Sequence, residues 1–162
     1  MKKNSIWIIV LIFGLTGVLL FCFWQTKSAA IKPIPAEESD DILTITRVEK
    51  SDGTISKQSI TGDELDEKTS RDLLDCLARH TMKSNPVSGP SVMTMTDPYL
   101  YLSIWLQKKD ETRYTIQLST TEAYSVVEYG KENFPVTESG ILLEEVEQIL
   151  SEAFRSAPLV SD

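Results

Sequence analysis

A run of nineteen residues near the start of the chain, positions 6–24, contains no charged side chain. A helix of that length rises about 1.5 Å per residue and spans roughly 28 Å, which approaches the hydrocarbon thickness of a bilayer. Lys2 and Lys3 precede the run and no basic cluster follows it, so the positive-inside tendency keeps residues 1–5 in the cytoplasm. The sequence therefore predicts an N-terminal transmembrane helix at 6–24 and export of everything that follows.

The same segment also has features of a signal peptide. Residues 28–30, Ser-Ala-Ala, place small side chains where a signal peptidase reads them, and cleavage after Ala30 would secrete a chain that begins at Ile31. Nineteen apolar residues exceed the usual signal-peptide core of about 7 to 15, which favours an anchor or an uncleaved signal. Cys22 is a poor lipoprotein site, because Phe21 stands where a small residue is required.

Charge argues against one class of function for the exported part. Three of the 16 basic residues and none of the 24 acidic ones lie in the first thirty positions, so the remainder carries 13 minus 24, or −11. That balance repels phosphate backbones, and no basic stripe with interleaved aromatics opposes it, so nucleic-acid binding is not expected. About 130 residues suffice for one domain with a single core. Cys76 is the only cysteine after the leader, so the core must form without an internal disulfide.

Composition divides the exported part into three. Residues 25–41 contain Pro33 and Pro35 among acidic and small side chains, and we expect an extracytoplasmic tether there. Residues 42–157 carry the strand and helix patterns and form the predicted ectodomain. Residues 158–162 are expected to be a short tail.

Alternating apolar side chains predict the strands. Residues 42–48 and 55–60 are rich in β-branched side chains and flank an Asp-Gly turn, which indicates a hairpin. Leucine and isoleucine alternate with aromatic and polar residues over 99–106, and the alternation returns over 113–118 after a charged turn. We therefore expect an antiparallel pair from this second region.

Two shorter segments, 124–129 and 134–136, extend this pair into a meander with Gly130 at the bend. Before the meander, residues 83–98 contain prolines and lack periodicity. We expect a long irregular loop there, and such loops are uncommon unless they are functional or disordered.

Two amphipathic patterns predict helices. Acidic residues at 63–67 suit a helix N-terminus, and this helix is expected to run to about Met82. The second helix begins near Ser139, with an apolar stripe opposite Glu144, Glu145, Glu147 and Glu152. The stripe consists of Leu142, Val146, Ile149, Leu150 and Ala153. The order of hairpin, helix, meander and helix predicts an α+β fold, a two-layer domain of antiparallel sheet with both helices on one face.

Residues with reactive or metal-binding side chains are few. His80, the only histidine, lies one helical turn after Cys76, but the pair lacks an orienting third group and oxyanion donors. Met93 and Met95 have the spacing of a thioether pair for monovalent copper, although packing explains such methionines more often. The acidic clusters lack the loop and glycine of a calcium site, and phosphate-binding glycine loops are absent. We therefore predict no enzyme activity, no cofactor and no metal site.

Aromatic side chains on one strand give the first candidate for a binding site. Tyr99, Tyr101 and Trp105 alternate with leucines, so we expect them on the sheet face that the helices leave open. Tyr and Trp combine apolar area with a polar group and are enriched at recognition surfaces. Arg113 is expected beside them on the returning strand. Ordinary cross-strand packing explains the same pattern equally well.

Together, these features favour a membrane-anchored extracytoplasmic domain of a bacterial envelope that binds a protein or another envelope ligand without catalysis. A second hypothesis is a secreted or anchored immunity or stress factor that sequesters a toxin or a metal ion. A third, less favoured, is a hydrolase-type enzyme that uses Cys76 and His80. The partners expected are thus the membrane, through residues 6–24, and an envelope protein.

Overall fold

The computed structural model describes residues 30–88 and 96–161, with the backbone alone for the last two of these. The segment 6–24 that is predicted to cross the membrane lies outside the described residues, and so does the first part of the predicted tether, 25–29. Within the described ranges, no helix is long and apolar enough to span a bilayer.

Two α-helices and nine strands occur in the described residues. The strands are β1 (Ile31–Pro33), β2 (Asp41–Ser51), β3 (Thr54–Thr61), β4 (Thr81–Lys83), β5 (Tyr99–Gln107), β6 (Arg113–Ser119), β7 (Val126–Tyr129), β8 (Glu132–Pro135) and β9 (Val160–Ser161). The helices are α1 (Glu67–Arg79) and α2 (Ser139–Ser156). Seven strands form one antiparallel sheet in the order β8-β7-β6-β5-β2-β3-β9, and β1 pairs separately with β4. The described part of the chain is therefore an α+β domain, as the sequence predicts.

The hairpin of β2 and β3 turns at Asp52 and Gly53, whose φ angles of 51° and 76° both lie in the left-handed region. Two successive positive φ angles are typical of the tight hairpin turn that Asp-Gly favours. Asp97 reinforces this turn, because its carboxylate oxygens accept the N–H groups of Asp52 at 3.2 Å and Gly53 at 2.7 Å. The predicted hairpin is confirmed, and Asp97, which lies just before β5, also stabilises the hairpin turn.

The hairpin joins the meander through β2, which pairs with β5 so that Ile45 lies opposite Ile104. From β5 to β8 each strand pairs with the next, and Gly130 has a φ angle of 65° at the last bend. The predicted meander is thus confirmed. β6 ends at Ser119, one residue beyond the predicted 113–118, and β7 begins at Val126, two residues after the predicted start at 124.

Both helices bury their apolar faces in the same core as alternate residues of the strands. The sheet contributes Ile45, Ile60, Leu102, Ile104, Leu106, Ile116, Leu118 and Val127. The helices contribute Leu73, Leu74, Leu77, Leu142, Val146, Leu150 and Phe154. Because one face of each strand supplies these side chains, helices and sheet form two layers around one core.

Helix α1 is shorter at both ends than the sequence predicts. Asp66 caps it, since Oδ1 accepts the Thr69 N–H at 2.8 Å, and the acidic residues before Asp66 belong to a separate 3₁₀ turn, Gly62–Glu64. At the other end His80 is extended, with φ −90° and ψ 167°, and Met82 lies in β4. The predicted continuation to Met82 is wrong because the chain leaves the helix to pair with β1.

The described part of the predicted tether is folded against the domain. β1 pairs antiparallel with β4, with Ile31 opposite Lys83, and the side chains of Ile34 and Ala36 belong to the core. A flexible tether over this range is therefore a wrong prediction. The acidic and proline-rich composition suggested solvation, but two apolar side chains and backbone pairing are enough to dock the segment.

A buried hydrogen bond fixes the end of this segment. The Tyr114 hydroxyl donates to Asp40 Oδ2 at 2.6 Å, and the same oxygen accepts the Glu37 N–H at 3.0 Å. Lys108 Nζ lies 2.8 Å from Glu37 Oε1. Burial, and then the hydrogen bond to Asp40, raise the pKa of Tyr114, so the hydroxyl stays a donor. The carboxylate of Asp40 is thus satisfied although the residue is buried.

The ends of two other predicted segments are also ordered. In the predicted tail, β9 pairs with β3 at the edge of the sheet, opposite Ser56 and Lys57. In the predicted irregular loop, the Val87 N–H donates to the Asn133 carbonyl at 2.7 Å. Residues 89–95 of that loop, which include Met93 and Met95, lie outside the described residues.

Replacing Tyr114 by Phe should destabilise the domain. The substitution leaves the buried Asp40 carboxylate with one partner fewer, and a hydrogen bond to a charged group contributes about 1.5–3 kcal/mol. Urea unfolding of the full chain measures the loss. Tyr129→Phe removes a hydroxyl from the more exposed ring packed 6.2 Å away and should change the free energy of unfolding by less than about 0.5 kcal/mol. Equal losses in both variants would contradict the assignment.

Candidate functional site

The side of the sheet opposite the core carries an exposed tryptophan. Leu102, Ile104 and Leu106 of β5 point into the core, so Ser103 and Trp105 project from the other side. The side chain of Trp105 is 51% exposed. We call the residues around it the open sheet face. They are Thr44, Thr46, Val48, Ser59, Tyr101, Ser103, Trp105, Gln107, Arg113, Thr115 and Gln117.

Hydrogen bonding and register position the indole of Trp105. It lies between Thr44 of β2 and Thr115 of β6 in the sheet, and its Nε1 donates to Ser103 Oγ at 3.1 Å. Ser103 and Thr115 are themselves buried. The indole is therefore held by its strand while about half of it faces solvent. A partner that binds it would cost little side-chain entropy, because the ring is already ordered.

Two more of the predicted binding residues lie on the open sheet face. Tyr101 is half-buried between Val48 and Ser119 of the neighbouring strands, and burial raises its pKa. Arg113 is exposed at the start of β6, where its Nε donates to Gln107 Oε1 at 3.0 Å. The structure therefore brings Tyr101, Trp105 and Arg113 to one side of the sheet.

Tyr99 does not belong to the exposed group. Its side chain is only 1% exposed, although it alternates with the leucines as predicted. Burial raises the pKa of Tyr99, Ser119 lowers it in part, and Tyr124 raises it, so the end of β6 and the segment after it lie close to the Tyr99 hydroxyl. A connection distant in sequence thus covers the start of β5, and Tyr99 as a surface binding residue is a wrong prediction.

The charge on this side of the sheet differs from that of the whole domain. Among the described strands, Lys50, Lys57 and Arg113 lie on this side, together with the acidic residues Asp41 and Glu128. Residues 31–162 carry −11 in total, from 13 basic and 24 acidic residues. Repulsion of anionic ligands is therefore weaker here than elsewhere on the domain.

A second group of polar side chains lies between the two helices. Cys76 of α1 is buried, and its Sγ donates to Glu145 Oε2 of α2 at 3.4 Å. His80 Nε2 lies 3.4 Å from the same oxygen, and an Arg79 guanidinium nitrogen lies 3.5 Å from it. The structure thus adds a carboxylate to the pair of Cys76 and His80.

The electrostatics of this group favour a protonated thiol. Burial, and then the hydrogen bond and charge of Glu145, raise the pKa of Cys76 to about 11, and Arg79 opposes this only in part. The hydrogen bonds from Cys76 and His80 in turn lower the pKa of Glu145. A nucleophilic cysteine needs its thiolate near neutral pH, so this arrangement argues against the hydrolase hypothesis.

Sequence reasoning missed Glu145 because it was assigned to the solvated side of α2. Glu145 comes three residues after Leu142 and four before Ile149, so it lies at the edge of the apolar stripe. This position at the edge of the stripe was the sequence feature that could have indicated a contact between Glu145 and another element. Which side chain of another helix approaches such an edge depends on tertiary packing, and α1 supplies Cys76 and His80 there.

Comparison with models of protein families, with curated proteins and with solved structures gives no match. The functional argument therefore depends on the chemistry of the residues just described.

Replacing Glu145 by Gln should make Cys76 more reactive. The substitution removes the carboxylate that stabilises the thiol, so the pKa of Cys76 should fall from about 11. The pH profile of alkylation by iodoacetamide measures this in the full chain with Cys22 replaced by Ser. Glu144→Gln removes the same charge from an exposed position and should leave the profile unchanged. An identical profile for the Glu145 variant and the parent would refute the assigned contact.

Proposed function

We propose that this chain is a membrane-anchored extracytoplasmic domain of a bacterial envelope that binds a protein or another envelope ligand through the open sheet face, without catalysis. The observation that carries the proposal is the exposure of Trp105 at the centre of that face. Removing half of a tryptophan side chain from water buries roughly 100 Å², which is worth about 2.5 kcal/mol. That is the size of contribution expected from a dominant residue of an interface.

The neighbours of Trp105 suit recognition. Thr44, Thr46 and Gln117 surround the indole with hydroxyl and amide groups that form hydrogen bonds in either direction. An apolar centre with a polar rim is the usual anatomy of a binding interface. Tyr101 adds a second aromatic ring on the same strand, four residues before Trp105. These features support a ligand that presents both an apolar surface and hydrogen-bonding groups.

The proposed location depends on the apolar run 6–24. Its length and its charge flanks support a membrane anchor with the N-terminus in the cytoplasm. Every residue of the described core lies at Ile34 or beyond. Cleavage after Ala30 would therefore release the entire described core, and retention of the leader would leave it at the membrane.

Reporter fusions test the location. Alkaline phosphatase fused after residue 162 should be active in a bacterial host, and green fluorescent protein at the same position should be dark, because the C-terminus is exported. Immunoblotting of the membrane fraction then distinguishes an intact anchor from a chain cleaved after Ala30. A fluorescent and phosphatase-inactive pair of fusions would contradict the proposed topology.

Photo-crosslinking in cells tests the binding face. A photoreactive residue in place of Gln117 should form an adduct with an envelope component, and Trp105→Ala should reduce that adduct about tenfold or more, since loss of a dominant interface residue costs about 2 kcal/mol. Ile141→Ala is the matched control, because Ile141 is 53% exposed on α2. Circular dichroism verifies that each variant folds.

Two outcomes would count against the face. An adduct that persists in the Trp105 variant means that the indole does not contribute to binding. An adduct that is lost equally in the Ile141 variant means that the contact is not specific to this side of the sheet.

A further inference from the structure

The geometry points to a metal site, best matched to Zn²⁺, formed by Cys76 Sγ, His80 Nε2 and Glu145 Oε2. One ligand atom from each of these three side chains lies within 4.8 Å of the other two. The site belongs to the helices, whereas the open sheet face belongs to the strands. It is therefore independent of the function proposed above, and either can exist without the other.

The distances agree with those of a tetrahedral zinc complex. With Zn–S of about 2.3 Å and Zn–N and Zn–O of about 2.0–2.2 Å, neighbouring ligand atoms are about 3.3–3.6 Å apart. Glu145 Oε2 lies 3.4 Å from Cys76 Sγ and 3.4 Å from His80 Nε2, so two edges already have the required length. The third edge, from sulfur to a ring nitrogen of His80, is at most 4.8 Å long. It needs to shorten by no more than roughly 1.2 Å.

The backbone holds the three ligands from two packed elements. Cys76 lies in the last turn of α1, and His80 is the extended residue that follows its last helical residue, so both lie at the C-terminal end of that helix. The backbone of His80 is held on both sides, since its N–H donates to the Leu77 carbonyl at 3.2 Å and its carbonyl accepts the Ile34 N–H at 3.0 Å. Glu145 projects from α2 between the buried residues Leu142 and Val146. The ligands are thus positioned before an ion arrives.

The donor set and its exposure fit a site that an ion can enter. Thiolate, imidazole and carboxylate are all zinc ligands, and the thiolate disfavours calcium and magnesium. Cys76 forms the buried wall, whereas the side chains of His80 and Glu145 are 12% and 41% exposed. Three protein ligands leave a fourth position for water or for a ligand from another molecule. On binding, the Cys76 thiol would release its proton to solvent and its hydrogen bond to Glu145 would be replaced by the bond to the metal.

The competing explanation is a hydrogen-bonded cluster that never holds metal. In that case Glu145 serves only as an acceptor for Cys76, His80 and Arg79. The guanidinium of Arg79 lies 3.5 Å from Glu145 Oε2, and its side chain is mostly exposed, so it can move away when a cation binds. The two explanations therefore differ in the effect of Arg79. Its removal should tighten binding of a metal ion, because a competing positive charge is lost.

Titration with Co²⁺ and Zn²⁺ tests the site. The full chain is purified in detergent, reduced and stripped of metal, with Cys22 replaced by Ser. Co²⁺ should produce a thiolate charge-transfer band and the d–d bands of tetrahedral cobalt at one equivalent, and Zn²⁺ should displace it and raise the melting temperature.

Variants assign the ligands. Cys76→Ser should abolish the charge-transfer band, Glu145→Gln should weaken Zn²⁺ binding tenfold or more, and Arg79→Ala should tighten it severalfold. Glu144→Gln is the matched control and should bind as the parent does, because Glu144 is exposed outside the cluster.

The proposal is overturned if the parent chain, reduced and folded, shows no thiolate band at excess Co²⁺. It is overturned equally if Glu145→Gln and Glu144→Gln bind Zn²⁺ alike, which would indicate association with surface acids. Should Cys76→Ser fail to fold by circular dichroism, the partly exposed Glu145 still decides the question through its own variant.

Discussion

Antiparallel pairing between β2 and β5 is the interaction on which the rest of the structure depends. It joins the hairpin to the meander and sets Ile45 opposite Ile104 and Thr44 opposite Trp105. Because side chains alternate between the two sides of a strand, a slip of one residue would turn Ile104 outward and Trp105 inward. The same register therefore produces both the core under the helices and the open sheet face. Burial of the apolar side makes that register strongly preferred.

The strands of the domain could be predicted because one side of the sheet is buried. That condition imposes a period of two, which residues 99–106 and 113–118 show plainly. The last helix was predictable from its period of 3.6. The segment from Ile31 to Asp41 was not, because its docking depends on Ile34 in the core and on a hydrogen bond between Asp40 and Tyr114, which are 74 residues apart in the chain. The composition of a short segment carries no information about contacts with residues so distant in the chain.

The candidate sites divide in the same way. Trp105 followed from alternation alone, whereas the burial of Tyr99 depends on the segment after β6. Glu145 was hidden among the acidic residues of α2, since local pattern does not tell which carboxylate meets Cys76 and His80 across a helix contact. In each case the error concerns a contact between elements remote in sequence. Hydrophobic periodicity and residue propensity predict a helix or a strand, whereas tertiary packing determines which other residues its side chains contact.

The two candidate sites lie on different layers of the domain. The open sheet face combines an exposed aromatic ring with hydroxyl and amide groups. In the helical layer, the Cys76 thiol and the His80 imidazole both contact one carboxylate oxygen of Glu145. A ligand on the sheet would leave the helical cluster accessible. The proposed binding function and the proposed metal site therefore do not compete for the same surface.

Fluorescence of Trp105 tests the central claim most directly, namely that the register leaves its indole open to a partner. In the full chain with Trp7 and Trp24 replaced by Phe, Trp105 is the only tryptophan. The structure predicts a red-shifted emission that acrylamide quenches readily in the folded state. A blue-shifted emission with little quenching would show that the indole is enclosed, and it would contradict both the register and the open sheet face.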